Sequence, residues 1–213
     1  MNLSNKLIAI IDYEMGNIGS IVGALKFLEI DFIISKNINK LSNAHAYILP
    51  GVGAFPQGMK NIKRFKLDKL INREVEINKK HFLGICLGMQ LLADYSIENK
   101  ATQGLGLING KVVNMKNNYK TRIPHVGWNN IKFKKDNKLF RNITSNSNFY
   151  FDHSFKFVPK NNNSTKATTK YSETFTSIVN KGNIYGTQFH PEKSQRNGLK
   201  ILRNFSNLVN LNE

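Results

Sequence analysis

The sequence has a single cysteine, Cys86, and holds only five prolines and one tryptophan in 213 residues. One cysteine cannot close an internal disulfide, so the scaffold of a small disulfide-stapled secreted protein is excluded and a packed core must hold the fold. Long apolar runs are missing as well. No stretch approaches the ~20 residues that cross a bilayer, and none has the basic start, apolar centre and small-residue cleavage site of a secretory leader. We therefore expect no membrane association and a location in the reducing cytoplasm. Acidic residues are scarce too, 14 against 31 Lys and Arg, for a net charge of +17. Such a balance suits an acidic partner. The lysines, however, are spread along the whole chain among asparagines, as in "KNNNSTK", with no aromatic-and-basic motif and no recognition helix, so no nucleic-acid function is expected.

What is present is a strand and helix alternation. "KLIAIIDY" is a continuous apolar run suited to a strand buried on both faces, followed by a helix through about Glu29. "DFIIS", "HAYILPGVGAF" and "HFLGI" read as further strands. A long helix is expected from about Gln57 to Asn78, and another over "LGMQLLADY". After about Gly104 the runs shorten ("GLINGKVVNM", "NFYFDHSFKFV", "KATTKY", "FTSIVNK", "NIYGTQFHP"), which suggests antiparallel strands added to the sheet, closed by an amphipathic helix from about Gln195 to Leu208. The softest stretch is the polar loop 160–166. The expected fold is α/β, one domain over residues 1–213, with a central mostly parallel sheet flanked by helices and its ligand site at the strands' carboxyl ends.

Cys86 sits in "GICLGMQ", with glycine two residues before and two after it. This is the G-x-nucleophile-x-G pattern, in which a strained strand-to-helix turn lifts the side chain above the sheet and the glycines remove β-carbons where strand and helix cross. A helix start also favours thiolate over thiol. By itself the thiol is equally consistent with a small buried hydrophobe.

A thiolate that expels an amine needs a proton donor, and five histidines compete. His45 and His81 stand at strand starts, away from Cys86. His153 alternates with Phe151, Phe155 and Phe157 and reads as a core histidine, while His125 falls in a loop. His190 differs, because "HPE" sets Glu192 two residues on in an extended segment, on the same side, where its carboxylate can orient the imidazole. A third element is "LPGVGAF". The main-chain amides around Gly51, Val52 and Gly53 could turn toward a developing oxyanion with the Leu87 amide as second donor, or the segment could be an ordinary strand-to-helix turn.

"PGVG", "GICLGMQ" and "HPE", in this order and spacing, resemble the class I (triad) glutamine amidotransferases. "DYEMGN", "GLGLI", "IPHVGWN", "YFDHSF" and "GTQFHPEKS" extend the resemblance nearly end to end, toward the glutaminase subunits of imidazole glycerol phosphate synthases. The resemblance implies cofactor-free hydrolysis of L-glutamine through a glutamyl thioester on Cys86, with His190 and Glu192 completing the triad and no metal. It also implies delivery of ammonia through a tunnel to a (β/α)8 synthase subunit in a heterodimer serving histidine biosynthesis. Gln90 and Glu98 would hold the substrate's amino-acid end, His153, Ser154 and Phe155 would border the pocket, and Asn17, Trp128, Tyr150 and Lys193 would meet the synthase. Glu14 stands where the family has glycine; Asp152 and Phe155 depart from "YFVHSY". Paralogous glutaminases that serve surface-sugar amidation share this chemistry and form the alternative reading. A cysteine peptidase-like hydrolase would lack the coupled "PGVG" turn, and a non-catalytic interaction protein would have no use for all three triad members.

Overall fold

The computed structural model describes residues 6–117, 121–133 and 137–210. The amino-terminal half runs β1 (Ile8–Ile11), α1 (Ile18–Phe27), β2 (Phe32–Ser35), α2 (Ile38–Ser42), β3 (Ala46–Leu49), α3 (Phe55–Arg64), α4 (Leu67–Ile71), β4 (His81–Ile85) and α5 (Leu87–Gln90). The second half supplies β5 (Tyr95–Ser96), β6 (Thr102–Gln103), β7 (Gly110–Asn114), β8 (His125–Asn130), β9 (Asn148–His153) and β10 (Phe155–Pro159). It ends with β11 (Thr165–Lys170), β12 (Thr174–Lys181), β13 (Ile184–Thr187) and α6 (Gln195–Asn210). Among the described residues no helix is long and apolar enough to cross a membrane.

The main sheet has the order β11-β12-β13-β4-β3-β1-β2. From β13 to β2 every neighbouring pair is parallel. Every residue of β1, β3 and β4 is buried, as continuous apolar runs require of a sheet covered on both faces. Successive side chains divide between the faces. Ile8 and Ile10 join α1 and α6 through Ile21, Leu25, Ile201 and Phe205, whereas Ala9 and Ile11 join Met59, Leu70 and Phe157 on the other side.

Four expectations need correction. The helix expected over 57–78 is broken: Lys66 takes a left-handed conformation (φ 56°) between α3 and α4, and the chain continues as a π-helix, Asn72–Ile77. One continuous helix would follow buried Phe55, Met59 and Ile62 with Lys66 on the core face. The break shifts the phase so that Leu67, Leu70 and Ile71 are buried instead. The helix over "LGMQLLADY" lasts one turn, because the amides of Leu105, Ile108 and Gly106 take the carbonyls of Leu91, Leu92 and Ala93 that would continue it. Of the later strands only β11, β12 and β13 join the main sheet, and β13 lies parallel to β4. The others form a four-stranded sheet, β10-β7-β5-β6, and a β8-β9 ribbon, which takes His125 out of the expected loop and pairs it with His153. Lastly, the 160–166 stretch is not wholly loop, since Asn162–Ser164 forms a 3-10 turn and β11 begins at Thr165.

Candidate active site

Four adjacent strands, β13, β4, β3 and β1, run parallel, so the segments leaving their carboxyl ends are neighbours. They are the His-Pro-Glu turn, the Cys86 turn, the "PGVG" turn and "DYEMGN". Topology thus collects at one sheet end motifs that are up to 180 residues apart in the chain.

Cys86 has φ 53° and ψ −109°, a strained conformation for a residue with a β-carbon. Close crossing of β4 and α5 enforces it: a β-carbon on Gly84 would lie 2.5 Å from the Gly88 carbonyl oxygen, and one on Gly88 would overlap the Leu49 carbonyl. The Cys86 amide donates to the Thr187 carbonyl of β13 (2.8 Å). The thiol is 5% exposed and donates to the Asp152 carbonyl at 3.7 Å.

His190 follows β13 and is 2% exposed. Its Nδ1 is 2.8 Å from Glu192 Oε1, and both side chains are almost fully buried. The segment is not extended as expected: Pro191, with its fixed φ, opens a 3-10 turn over Pro191–Lys193 that folds Glu192 back to His190, and the Ser194 hydroxyl donates to the His190 carbonyl (2.6 Å) across it. With Nδ1–H given to a carboxylate, Nε2 is the nitrogen left to exchange a proton. It has no hydrogen-bond partner among the described residues. Burial alone would lower the His190 pKa, but its polar and charge interactions with Cys86 and Glu192 outweigh burial and raise it to about 10. The site therefore favours the imidazolium form of His190.

His153 is a different kind of histidine. Its Nδ1 donates to the Phe155 carbonyl (2.8 Å), which leaves Nε2 to accept from His125 Nδ1 (3.2 Å), whose own Nε2 accepts from Asn129 Nδ2 (3.3 Å). The chain is satisfied only with both rings neutral. Burial correspondingly depresses their pKa values, to about 3 for His153 and about 4 for His125.

The expected oxyanion donors are close together but occupied. The Leu87 N–H donates to the Gly51 carbonyl (3.3 Å), and the Val52 N–H donates to the Met15 carbonyl (2.6 Å). The turn thus presents a carbonyl where a donor was expected, because the Gly51–Val52 peptide faces the other way.

Gln90 Nε2 donates to the Phe155 carbonyl (2.9 Å) and to Gln188 Oε1 (3.1 Å), and Glu98 Oε2 accepts the Phe55 amide at the start of α3 (2.8 Å). Ser154 and Phe155 are half-buried beside them. On the outer side, Trp128 pairs with Tyr150 across the β8-β9 ribbon with ring centroids 6.2 Å apart. Lys193 Nζ lies 5.6 Å over the Tyr150 ring, whose centroid is 6.5 Å from that of His190. Trp128 is 49% exposed, and Asn17 is exposed at the N-cap of α1, which packs against the Pro191–Lys193 turn. Asp152 is exposed while Lys156, two turns of the alternation on, is buried against Glu173.

Two site residues escaped sequence reasoning. Gln188, fully buried, sets Nε2 3.9 Å from the Cys86 sulfur and links it to Gln90. Its place two residues before His190, in the short segment between β13 and the His-Pro-Glu turn, was the available signal. Tyr13, at the end of the first apolar run, lies with its hydroxyl against Gly51. Glu14, the departure from glycine, adopts φ 66° and pairs with Lys36 and Arg64, both at 2.7 Å.

Residues 9–208 match the family model described as glutamine amidotransferase class-I. The chain is 47% identical over 199 residues to imidazole glycerol phosphate synthase subunit HisH 2 of Methanococcus maripaludis, covering 93% of this chain and 98% of that one. It is 41% identical to subunit HisH of Pelagibacter ubique (94% and 99% covered) and 45% identical to subunit HisH 2 of Vibrio vulnificus (96% and 95%). Among solved structures, PurLQS from Thermotoga maritima superposes with a TM-score of 0.76 at 19% identity (97% and 100% covered), and a structure described as a glutamine amidotransferase with 0.74 at 18% (95% and 98%). At such identity these two speak to the fold alone. The chain belongs to the class-I glutamine amidotransferase family.

Proposed function

We propose that this chain is the glutaminase subunit of an imidazole glycerol phosphate synthase and acts in histidine biosynthesis. Identity of 41–47% to subunits of that name, over nearly their whole length, supports the pathway. The observation that carries the chemistry is the buried His190–Glu192 pair with a free Nε2 beside Cys86.

In the proposed reaction the Cys86 sulfur attacks the side-chain carbonyl carbon of glutamine, forming a C–S bond while the carbonyl electrons move to oxygen. His190 holds the thiol proton on Nε2 and gives it to the leaving nitrogen, so ammonia departs and a thioester remains. Water, deprotonated by the same Nε2, then releases glutamate and restores the thiol. Glu192 orients the ring and stabilises its cation without moving a proton. Gln90, Glu98, His153, Ser154 and Phe155 border the glutamine, and Asn17, Trp128, Tyr150 and Lys193 form the face toward a (β/α)8 synthase subunit that receives the ammonia through a tunnel. All of this lies in one domain over residues 1–213.

The Leu87 to Gly51 hydrogen bond supports a regulated enzyme. The Gly51–Val52 peptide must rotate before Val52 and Leu87 can both donate to the oxyanion, and one such donor is worth roughly a hundred- to thousandfold in rate. The test is steady-state glutamate release by the chain alone and with the synthase subunit plus imidazole glycerol phosphate. Stimulation of about a hundredfold or more is expected. In the complex, Cys86→Ser should abolish glutamine-dependent synthesis while synthesis from added ammonia persists. Equal loss of both activities would count against the thioester, and a fully active isolated chain would remove the regulation.

A further inference from the structure

Tyr13 is fully buried, packed in the cluster that holds Leu49 and Leu87 and fixed through its carbonyl by Asn61 Nδ2 (3.0 Å). Its hydroxyl has no hydrogen-bond partner among the described residues. Buried hydroxyls without a partner are uncommon, and phenylalanine would fill the same space without one. The hydroxyl lies against a particular neighbour: a β-carbon built on Gly51 would overlap it. It therefore stands over the residue whose carbonyl now occupies the Leu87 amide. Burial and the charge of Cys86 hold the Tyr13 pKa well above the ordinary phenol range, so the group is a donor at every relevant pH.

In the observed arrangement the Gly51 carbonyl needs nothing from Tyr13, because Leu87 satisfies it. Rotation of the Gly51–Val52 peptide changes that. The Val52 amide leaves Met15, and the carbonyl of buried Gly51 leaves Leu87 and loses its donor, beside a hydroxyl that has no partner in the observed state. We propose that Tyr13 is a positioning residue of the glutaminase: its hydroxyl donates to the Gly51 carbonyl after rotation and so stabilises the turn with its amides toward the oxyanion. The hydroxyl, without a partner in the observed state, becomes the donor to a carbonyl that rotation would otherwise leave unsatisfied. The inference rests on the regulated glutaminase reading above.

Tyr13→Phe tests it in the complete complex, with glutamate release measured with and without synthase subunit and imidazole glycerol phosphate. The stimulated kcat should fall about tenfold, the value of one buried hydrogen bond, with glutamine KM little changed. The thermal midpoint should hold or rise, since the substitution removes an unsatisfied group from the resting fold. A merely structural tyrosine would lower the midpoint and leave the stimulation ratio alone. If wild type is stimulated and Tyr13→Phe equally so, the inference is overturned and the glutaminase reading stands. If wild type is not stimulated, both fall. As an independent readout, the pH profile of Cys86 alkylation by iodoacetamide should be the same in both proteins; a shifted profile would place the hydroxyl on the thiolate and overturn the assignment to the turn.

Discussion

His190 and His153 are both buried and both within the Cys86 neighbourhood, yet their hydrogen bonds give them opposite chemistry. His190 donates toward a carboxylate and keeps Nε2 free, whereas both nitrogens of His153 are engaged by a carbonyl and a second neutral imidazole. A proton-transfer group needs the first arrangement. His190→Asn should therefore lower glutamine hydrolysis by at least the ~10²–10⁴-fold typical of general acid–base catalysis, and Glu192→Gln by less, because the ring would lose orientation and not its basic nitrogen. His153→Gln should retain hydrolysis while melting at lower temperature, since it breaks the Asn129–His125–His153 chain. Single-turnover glutamate release and thermal melts of the three variants check this. An inactive His153→Gln beside an active His190→Asn would reverse the assignment.

At the scale of elements, the elbow between β4 and α5 and the helix α1 make opposite demands on glycine. Gly84 faces the Gly88 carbonyl, so Gly84→Ala must push β4 and α5 apart, lowering stability by about 1–3 kcal/mol or more and displacing Cys86 from its turn. Gly23 lies within α1 with nothing within 4 Å of an added β-carbon, and Gly23→Ala should stabilise by roughly 0.5–1 kcal/mol without touching activity. Denaturant unfolding of both variants, with glutamate release measured alongside, tests the pair. A neutral Gly84→Ala would mean that the crossing can relax, and the elbow would not depend on glycine there. The oxyanion turn is the same problem in another form, since Gly51 is kept free of a β-carbon by Tyr13 on one side and by Leu87 (2.8 Å) on the other.

For the whole molecule, the histidines set a pH window for stability. His153 and His125 have folded pKa values of about 3 and about 4, below the unfolded value of 6.5, so their contribution is complete above pH 6.5 and is lost as acid protonates the unfolded chain first. His190 has the reverse sign: with a folded pKa raised to about 10, its contribution is complete below pH 6.5 and is lost as pH rises through the folded value. Stability should therefore be greatest near neutrality and fall below about pH 6.5 with a slope approaching two protons, or about 2.7 kcal/mol per pH unit. The carboxylates of Glu74 and Glu173 have pKa values below the ordinary range, so the loss of their contribution follows only at lower pH. Thermal midpoints from pH 4 to 8 should show this slope, and His153→Gln should flatten it. A midpoint independent of pH across that range would refute neutral burial of the two rings.

Much of this protein is decided locally and is legible in the chain. The continuous apolar runs of β1, β3 and β4 can only be strands covered on both faces, the spacing of Gly84, Cys86 and Gly88 specifies a crowded turn, and the two-residue spacing of His190 and Glu192 puts a carboxylate within reach of an imidazole, although it does so through a 3-10 turn and not through the extended segment expected. Other features depend on contacts between distant residues. The end of α5 is set by the amides of 105–108, the phase shift at Lys66 by which leucines reach the core, and the strand around His125 by its pairing with β9. The direction of the Gly51–Val52 peptide belongs to the same class. Its local sequence permits either orientation, and only the tertiary arrangement, which brings Tyr13 and Met15 from one segment and Leu87 from another around it, decides which hydrogen bonds it makes.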